Sequence, residues 1–361
     1  MRNLASIQVI SDLQRIEGKD RIVLATVLGW HVIVQKSEYQ IGDKCVYVEV
    51  DSQLPEKPEF EFLRSKNFRI KTMKMAGVVS QGICFPMSIL PERKKEYYVG
   101  EDVTDILGIT KYEPYIEDVT AQPTSKKKNP LTKIKWLMRF QWYRKFVLPR
   151  RISDSFPAFI QKTDEIRIQT IPQILQHKID TKFVATEKID GTSGTYALVR
   201  HKRKFLKDKF EYIVCSRNRR LTPDNSIYWA VSQKYDIENV LKKLISDHHR
   251  IVLQGECIGP KVQGNKYKVS RPQFYAFNLI VDGKRLGSLF ARSLLKEVHI
   301  PFVPIVDEDF ILPDTVDDML AVAHAQSAIG DTLREGLVVR SMDGDISFKA
   351  VDPLFLLKYN E

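Results

Sequence analysis

Over the first hundred residues, short runs rich in β-branched and aromatic side chains recur at 22–28, 30–34, 45–50, 68–73 and 83–85. Turn-forming residues separate them: Gly29, Gly42-Asp43, Pro55 to Pro58, Gly77 and Gly82. Such runs, bounded by Gly, Pro and Asp, predict strands. About five strands in so short a stretch predict a small β-barrel, with a sandwich as the alternative. Beyond residue 180 the pattern mixes. Strands are predicted at 183–186, 194–199, 212–215, 251–255, 274–280 and 336–340, and helices at 225–246, 291–297 and 316–326. Without regular βαβ alternation this is an α+β pattern, and a doubly wound sheet is disfavoured.

The two patterned regions are joined by a segment of different character. From Val119 to Ser153 there is no acidic residue, but there are ten Lys or Arg, among them Lys126, Lys127 and Lys128. The whole chain carries a net charge of +11, so this stretch holds nearly all of it. The domain expectation is therefore an OB-like barrel over 1–118, a basic linker over 119–153 and a second domain over 154–361. The linker contains 134–144, which suits a basic amphipathic helix. A solvated linker ranks first for this segment, a nucleic-acid contact second and a membrane surface third.

Composition narrows the class. At 361 residues, 43% hydrophobic and 28% charged, the chain suits a two-domain globular protein. No run approaches the 18 or so apolar residues of a membrane span, and the N-terminus has no secretory apolar core. Cys45, Cys84, Cys215 and Cys257 lie far apart without a CxxC pair. They predict reduced thiols in an intracellular protein, cytoplasmic or nuclear and not secreted. The basic balance points to an anionic partner.

Neither a P-loop nor a Rossmann glycine motif is present. The sharpest local feature is Glu187-Lys188-Ile189-Asp190-Gly191-Thr192, directly after the strand predicted to end at Thr186. A lysine followed two residues on by an aspartate and then a glycine turn places an amine and a carboxylate at the mouth of a sheet, and Asp190 is of a type that could hold a metal. Such a lysine attacks phosphorus only as the neutral amine, its unperturbed pKa being about 10.4. Alone, Lys188-Ile189-Asp190-Gly191 is a weak signal, and for most chance matches to such a tetrapeptide an exposed Lys-Asp turn is the better reading.

It is followed by Ser216-Arg217-Asn218, Gln254-Gly255-Glu256-Cys257, Phe274-Tyr275-Ala276-Phe277-Asn278, Arg334-Glu335-Gly336 and Ser347-Phe348-Lys349-Ala350. This ordered set resembles the covalent nucleotidyltransferases, the superfamily of polynucleotide ligases and RNA capping enzymes. With Val48 to Pro55, Arg69-Ile70-Lys71, Phe156 to Phe159 and Lys162 to Glu165 added, it resembles the ATP-dependent RNA ligases that carry an N-terminal OB module. Only twelve residues follow Lys349, which leaves no room for the C-terminal OB domain of DNA ligases and capping enzymes. Val351 stands where many relatives have a second lysine, and Asn278 where many have an acid. Lys349 and Lys358 therefore both stay open as the last motif lysine.

The resemblance implies an α+β nucleotidyltransferase domain with an ATP-grasp-like ligase core, and an enzyme joining 5′-phosphate and 3′-hydroxyl RNA ends through lysyl-AMP. It implies Lys188 as the nucleophile, with Lys349 and Arg217 as catalytic cations. ATP would be held by Glu187, Lys188, Ile189, Arg217, Glu256, Phe277, Glu335 and Lys349. Mg²⁺ or Mn²⁺ would be held by Asp190, Glu256 and Glu335, hard oxygen ligands of the kind those ions take. RNA would be met by Arg69, Lys71, Lys126, Lys127 and Lys128. The protein is expected to be a monomer without a membrane partner. Phe277 also reads as core, and Arg217 as part of a solvated cluster with Arg219 and Arg220. The rivals are a capping-type or DNA-sealing transferase and an RNA-binding protein with a decayed transferase domain.

Overall fold

The computed structural model describes residues 3–93, 95–112, 155–176, 182–342 and 344–359. The whole of the predicted basic linker, with Lys126, Lys127 and Lys128, lies outside them. The chain forms two compact units. One comprises Met1–Tyr115, Glu165–Ile189 and Pro304–Glu361, the other Ile116–Asp164 and Asp190–Val303.

In the first unit, five antiparallel strands form a nearly closed barrel sheet in the order Trp30–Gln35, Ile22–Val27, Ala5–Arg15, Lys44–Val48, Ile83–Phe85. The first strand carries the curvature. Its Ala5–Val9 half pairs with Lys44–Val48, and its Ile10–Arg15 half pairs with Ile22–Val27, with a bulge between Ile10 and Asp12. A bulge bends a strand and re-aims its side chains, so one strand can serve two walls of a barrel. Ile10, Val27, Trp30 and Tyr47 fill one part of the interior, and Ile7, Val48, Phe60 and Phe85 another.

Two strand expectations change here. Ala5–Arg15 was not legible as a strand, because Ser11, Asp12 and Gln14 break the apolar alternation after the bulge. The predicted strand at 68–73 is instead irregular. Asn67 and Phe68 both take positive φ after a 3-10 turn, and Arg69 makes an isolated bridge to Gln53 of a separate two-stranded sheet, Ser52–Gln53 with Thr110–Lys111.

The same unit holds a second five-stranded sheet, ordered Ile166–Arg167, Ser347–Val351, Gly336–Ser341, Phe183–Lys188, Ile305–Phe310. Only its first pair is parallel. Phe183, Ala185, Leu337, Val339, Phe348 and Ala350 bury one face under the helix Val316–Ala323. The barrel meets this sheet directly. The Gly29 amide donates to the Gln169 carbonyl at 2.8 Å, and a Cβ on Gly29 would lie 2.8 Å from a Val316 methyl. Thr170 donates to Glu49 at 2.9 Å and Arg167 pairs with Asp51 at 2.9 Å.

The second unit is a six-stranded antiparallel sheet ordered Arg220–Leu221, Lys209–Cys215, Thr192–His201, Arg250–Ile258, Gln273–Val281, Lys284–Arg285. Side chains alternate across a strand, so Tyr196, Leu198, Leu253 and Phe274 pack with residues from three helices, Ile227–Lys234, Ile237–Leu244 and Ser288–Glu297. Ala197, Ile213 and Val252 face Ile160 and Phe156. The single helix expected at 225–246 is broken, because Asp236 takes the left-handed conformation between its two halves.

Candidate active site

Strand register builds the site in the first unit. Lys188, the last residue of Phe183–Lys188, pairs with Gly336, while Thr186 pairs with Val338, which in turn pairs with Lys349. A lysine and a residue two positions earlier share a face. Lys188 and Lys349 therefore stand on the sheet face opposite the Phe183–Phe348 core. Arg167 is the parallel partner of Lys349 and brings a third cation to that row. Gly336 is required by close approach, since a Cβ there would run into the Ala350 carbonyl oxygen.

The Lys188 ammonium donates to the Glu335 carboxylate at 2.5 Å, and the two side chains are 24% and 11% exposed. Attack by this lysine needs the neutral amine, so the ion pair must part before it can act. Arg167 is buried. Its Nη2 donates to Asp51, but its Nε and Nη1 have no hydrogen-bond partner among the described residues. Leaving two guanidinium nitrogens buried and unmatched is costly; the guanidinium also lies 5.9 Å from the Trp30 ring centre.

The second unit holds Asp190, Glu256, Phe277 and Arg217. Asp190 is buried. It accepts from Lys266 at 2.5 Å, and its backbone amide donates to the Tyr267 hydroxyl at 2.8 Å. Gly191 follows because a Cβ there would lie 2.5 Å from the Cys257 carbonyl oxygen. Glu256 forms a cross-strand row with Ser193 and Tyr275, and Ser193 shares a 2.9 Å hydrogen bond with Thr163. Phe277 is the extra residue of a bulge: Gln254 pairs with Asn278, but the next residue, Gly255, pairs with Ala276. The bulge removes Phe277 from the alternation that would have made it core. Arg217 donates to Asp164 at 2.6 Å, and both side chains are nearly half exposed.

A family model described as RNA ligase matches residues 181–359, and one described as an OB-fold domain matches residues 4–87. Over its full length the chain is similar to solved Naegleria gruberi RNA ligase. The form with pyrophosphate is 31% identical with a TM-score of 0.81, covering 100% of this chain and 99% of that one. The chain belongs to the RNA ligase family. A variant of the same Naegleria ligase with AMP and manganese is 31% identical at a TM-score of 0.80, covering 98% of each chain. Another, with ATP and manganese, is also 31% identical at 0.80, covering 99% of this chain and 98% of that one. No curated protein matches the chain.

The two departures from the motif pattern have local reasons in this ligase. The Asn278 amide donates to Gln254 at 2.9 Å, and Gln254 donates to the Gln161 carbonyl at 2.9 Å. That buried amide chain needs a donor that a carboxylate lacks. Val351 is buried beside Phe355 and Leu356, a position unsuited to lysine. Lys358 lies on the helix Pro353–Tyr359 with its ammonium 5.3 Å from the Tyr359 ring centre, whereas Lys349 lies in the strand beside Arg167.

The buried Glu187 carboxylate accepts from the Ser327 hydroxyl and, at 2.8 Å, from the Ala328 amide, so it holds that loop. Ile189 is buried. In the barrel module, Arg69 stacks its guanidinium 3.9 Å from the Tyr112 ring centre, and Lys71 is half-buried close by in sequence.

Among the described residues, no three His, Cys, Asp or Glu side chains gather into a metal cluster. Sequence reasoning missed Lys266 and Arg167. Lys266 follows Asp190 by 76 residues and belongs to no motif. Arg167 lies two residues beyond a stretch that carries the family likeness, and a buried arginine has no signature of its own.

Proposed function

We propose that this ligase is ATP-dependent and seals 5′-phosphate and 3′-hydroxyl RNA ends in three steps. In the first, the Lys188 amine attacks the α-phosphorus of ATP: an N–P bond forms, the bond to pyrophosphate breaks, and the amine loses its proton. An oxygen of the RNA 5′-phosphate then takes the AMP from Lys188. Finally the 3′-hydroxyl attacks the activated 5′-phosphorus, and AMP leaves as the phosphodiester forms. The observation carrying this reading is Lys188 at its strand end, held by Glu335 on the face shared with Lys349 and Arg167.

Phosphoryl transfer of this kind depends mainly on positioning and on charge that meets the phosphate oxygens. Lys349 is better placed than Lys358 to be the final motif lysine. With Arg167, its parallel partner on the neighbouring strand, it forms a cationic row suited to the triphosphate. Phe277, freed from the core pattern by its bulge, suits a purine ring, and Arg217 suits an incoming phosphate.

We assign a divalent cation to Glu335 and Asp190, as the family likeness implies. Both carboxylates are buried and at present balanced by lysine ammonium groups, and a hard oxygen donor set suits Mg²⁺ or Mn²⁺. Glu256 would complete the set. An ion held there would supply positive charge to the phosphate oxygens, with Glu335 as the residue that now accepts from Lys188. The solved Naegleria ligase forms with ATP or AMP and manganese support this choice of nucleotide and metal.

We assign RNA binding to the barrel module through Arg69 and Lys71 and to the basic segment with Lys126, Lys127 and Lys128. The domain reading of 1–118, 119–153 and 154–361 remains our proposal, as does a monomeric state. Four free, buried cysteines favour an intracellular, reducing compartment; among the described residues no helix is long and apolar enough to cross a membrane. The deciding experiment incubates the protein with α-labelled ATP or GTP, followed by denaturing electrophoresis. Label from ATP alone, lost in Lys188→Ala, is expected. Label from GTP, or label surviving that change, would overturn the reading.

A further inference from the structure

We infer that the hairpin loop between the strands Thr192–His201 and Lys209–Cys215 is a docking surface for an RNA strand at a distance from the ends being joined. The inference rests on the RNA-sealing function proposed above and adds a second contact to it. The loop reads Lys202-Arg203-Lys204-Phe205-Leu206-Lys207-Asp208, and every one of these residues is exposed. Phe205 is 92% exposed, the highest value among the large apolar side chains described, and Leu206 is 68% exposed. An aromatic ring held in water at a hairpin tip buries almost none of its apolar surface, so folding of this unit does not explain it.

The charge around the ring is one-sided. Lys202, Arg203, Lys204 and Lys207 flank it, with Lys209 at the start of the next strand. The single acid of the loop, Asp208, is turned back into the hairpin: it accepts the Arg203 amide at 3.3 Å and lies 3.6 Å from the Arg200 guanidinium. Arg200 in turn stacks 5.4 Å from the Phe210 ring centre. The base of the hairpin is thus braced, and its tip presents cations and a ring. That pairing fits a single strand, because phosphates meet the cations while any unstacked base can lie on the ring.

Geometry gives the place along the RNA. Thr192 follows Asp190 by two residues, and the strand then runs to His201, a rise of about 30 Å at the usual spacing. At about 3.4 Å per step along a stacked strand, the tip lies roughly nine nucleotides from the Asp190 end of the sheet. Short RNAs cannot span that distance.

The test uses the full chain, a Phe205→Ala variant and a Lys202→Ala/Lys204→Ala/Lys207→Ala variant. Binding of 5′-phosphorylated single-stranded RNAs of about six and about thirty nucleotides is measured against salt, and phosphatidylserine vesicles serve as the membrane control. Formation of lysyl-AMP reports that each variant is folded and active in the ATP step. Phe205→Ala should weaken binding of the long RNA roughly tenfold, and the triple variant should lower its salt slope by about 2. Binding of the short RNA and lysyl-AMP formation should match the parent. Parent-like affinity and slope on the long RNA would overturn the inference, as would a defect confined to vesicle binding. Failure of the parent itself to form lysyl-AMP would overturn the proposed function, which is a separate result.

Discussion

Lys266 donates its ammonium to the Asp190 carboxylate at 2.5 Å, with both side chains less than a tenth exposed. The two residues are 76 positions apart, and the contact joins the residue two beyond Lys188 to a loop outside every motif. Removing one partner of a buried ion pair leaves the other charge unbalanced, which typically costs about 3 kcal/mol. Lys266→Met should therefore lower the thermal midpoint clearly. If Asp190 is a metal ligand, added Mg²⁺ should raise that midpoint more in the variant than in the parent. Calorimetric or fluorescence melting with and without the ion checks both points. A variant as stable as the parent would show that the pair carries no such weight.

At Lys188, charge and nucleophilicity can be separated. Lys188→Arg keeps a cation for Glu335, so stability should stay within about 1 kcal/mol of the parent. A guanidinium stays protonated and cannot attack phosphorus, so the covalent AMP adduct should be absent. Intact mass after incubation with ATP and Mg²⁺ reads the adduct directly. An arginine variant that still gains the mass of AMP would move the nucleophile elsewhere.

Glu335→Gln tests the partner. The change keeps shape and hydrogen bonding but removes the charge that balances Lys188 and suits a divalent ion. Adenylylation should need several-fold more Mg²⁺ or Mn²⁺ for half-maximal rate, while the melting temperature changes less. An unchanged metal titration would make this carboxylate purely structural.

The contribution of the basic segment must be tested in the full chain. Removing residues 1–153 would strip Asp51 from Arg167 and the barrel from Gln169 and Thr170, so loss of folding would mask any RNA effect. Neutralising Lys126, Lys127 and Lys128 together avoids that problem. Lysyl-AMP formation should persist, while the salt slope of RNA binding should fall by up to about 2, at about 0.7 for each phosphate that is no longer neutralised. Parent-like sealing and slope would assign the segment another task.

The cysteines should be inert. All four are free and buried. Burial pushes Cys215 up to about 12 and Cys257 higher still, while a hydrogen bond with Cys45 and burial raise Cys84. Below their raised values the thiols of Cys84, Cys215 and Cys257 stay protonated, and only the thiolate reacts. An aromatic disulfide reagent at pH 8 should therefore label the native protein slowly and the denatured protein at all four positions. Rapid labelling of the native fold would mean that one of these sites opens.

Much of this was legible from the chain itself. Local chemistry marks a strand or turn wherever apolar alternation is clean, as at 22–28, 30–34 and 183–186. The order of Lys188, Arg217, Glu256, Phe277, Glu335 and Lys349 carried the family likeness, because the chemistry needs those residue types in sequence-linked contexts. Tertiary structure decided the rest. Register alone could bring Lys349 and Arg167 onto the Lys188 face, since the strands that carry them are far apart in sequence. Only the bulge opposite Gln254 and Gly255 released Phe277 from a core-like alternation. Pairings such as Lys266 with Asp190 and Arg167 with Asp51 have no local signature. They arise because a buried charge needs an opposite one nearby, and the fold, not the sequence interval, determines which residue that is.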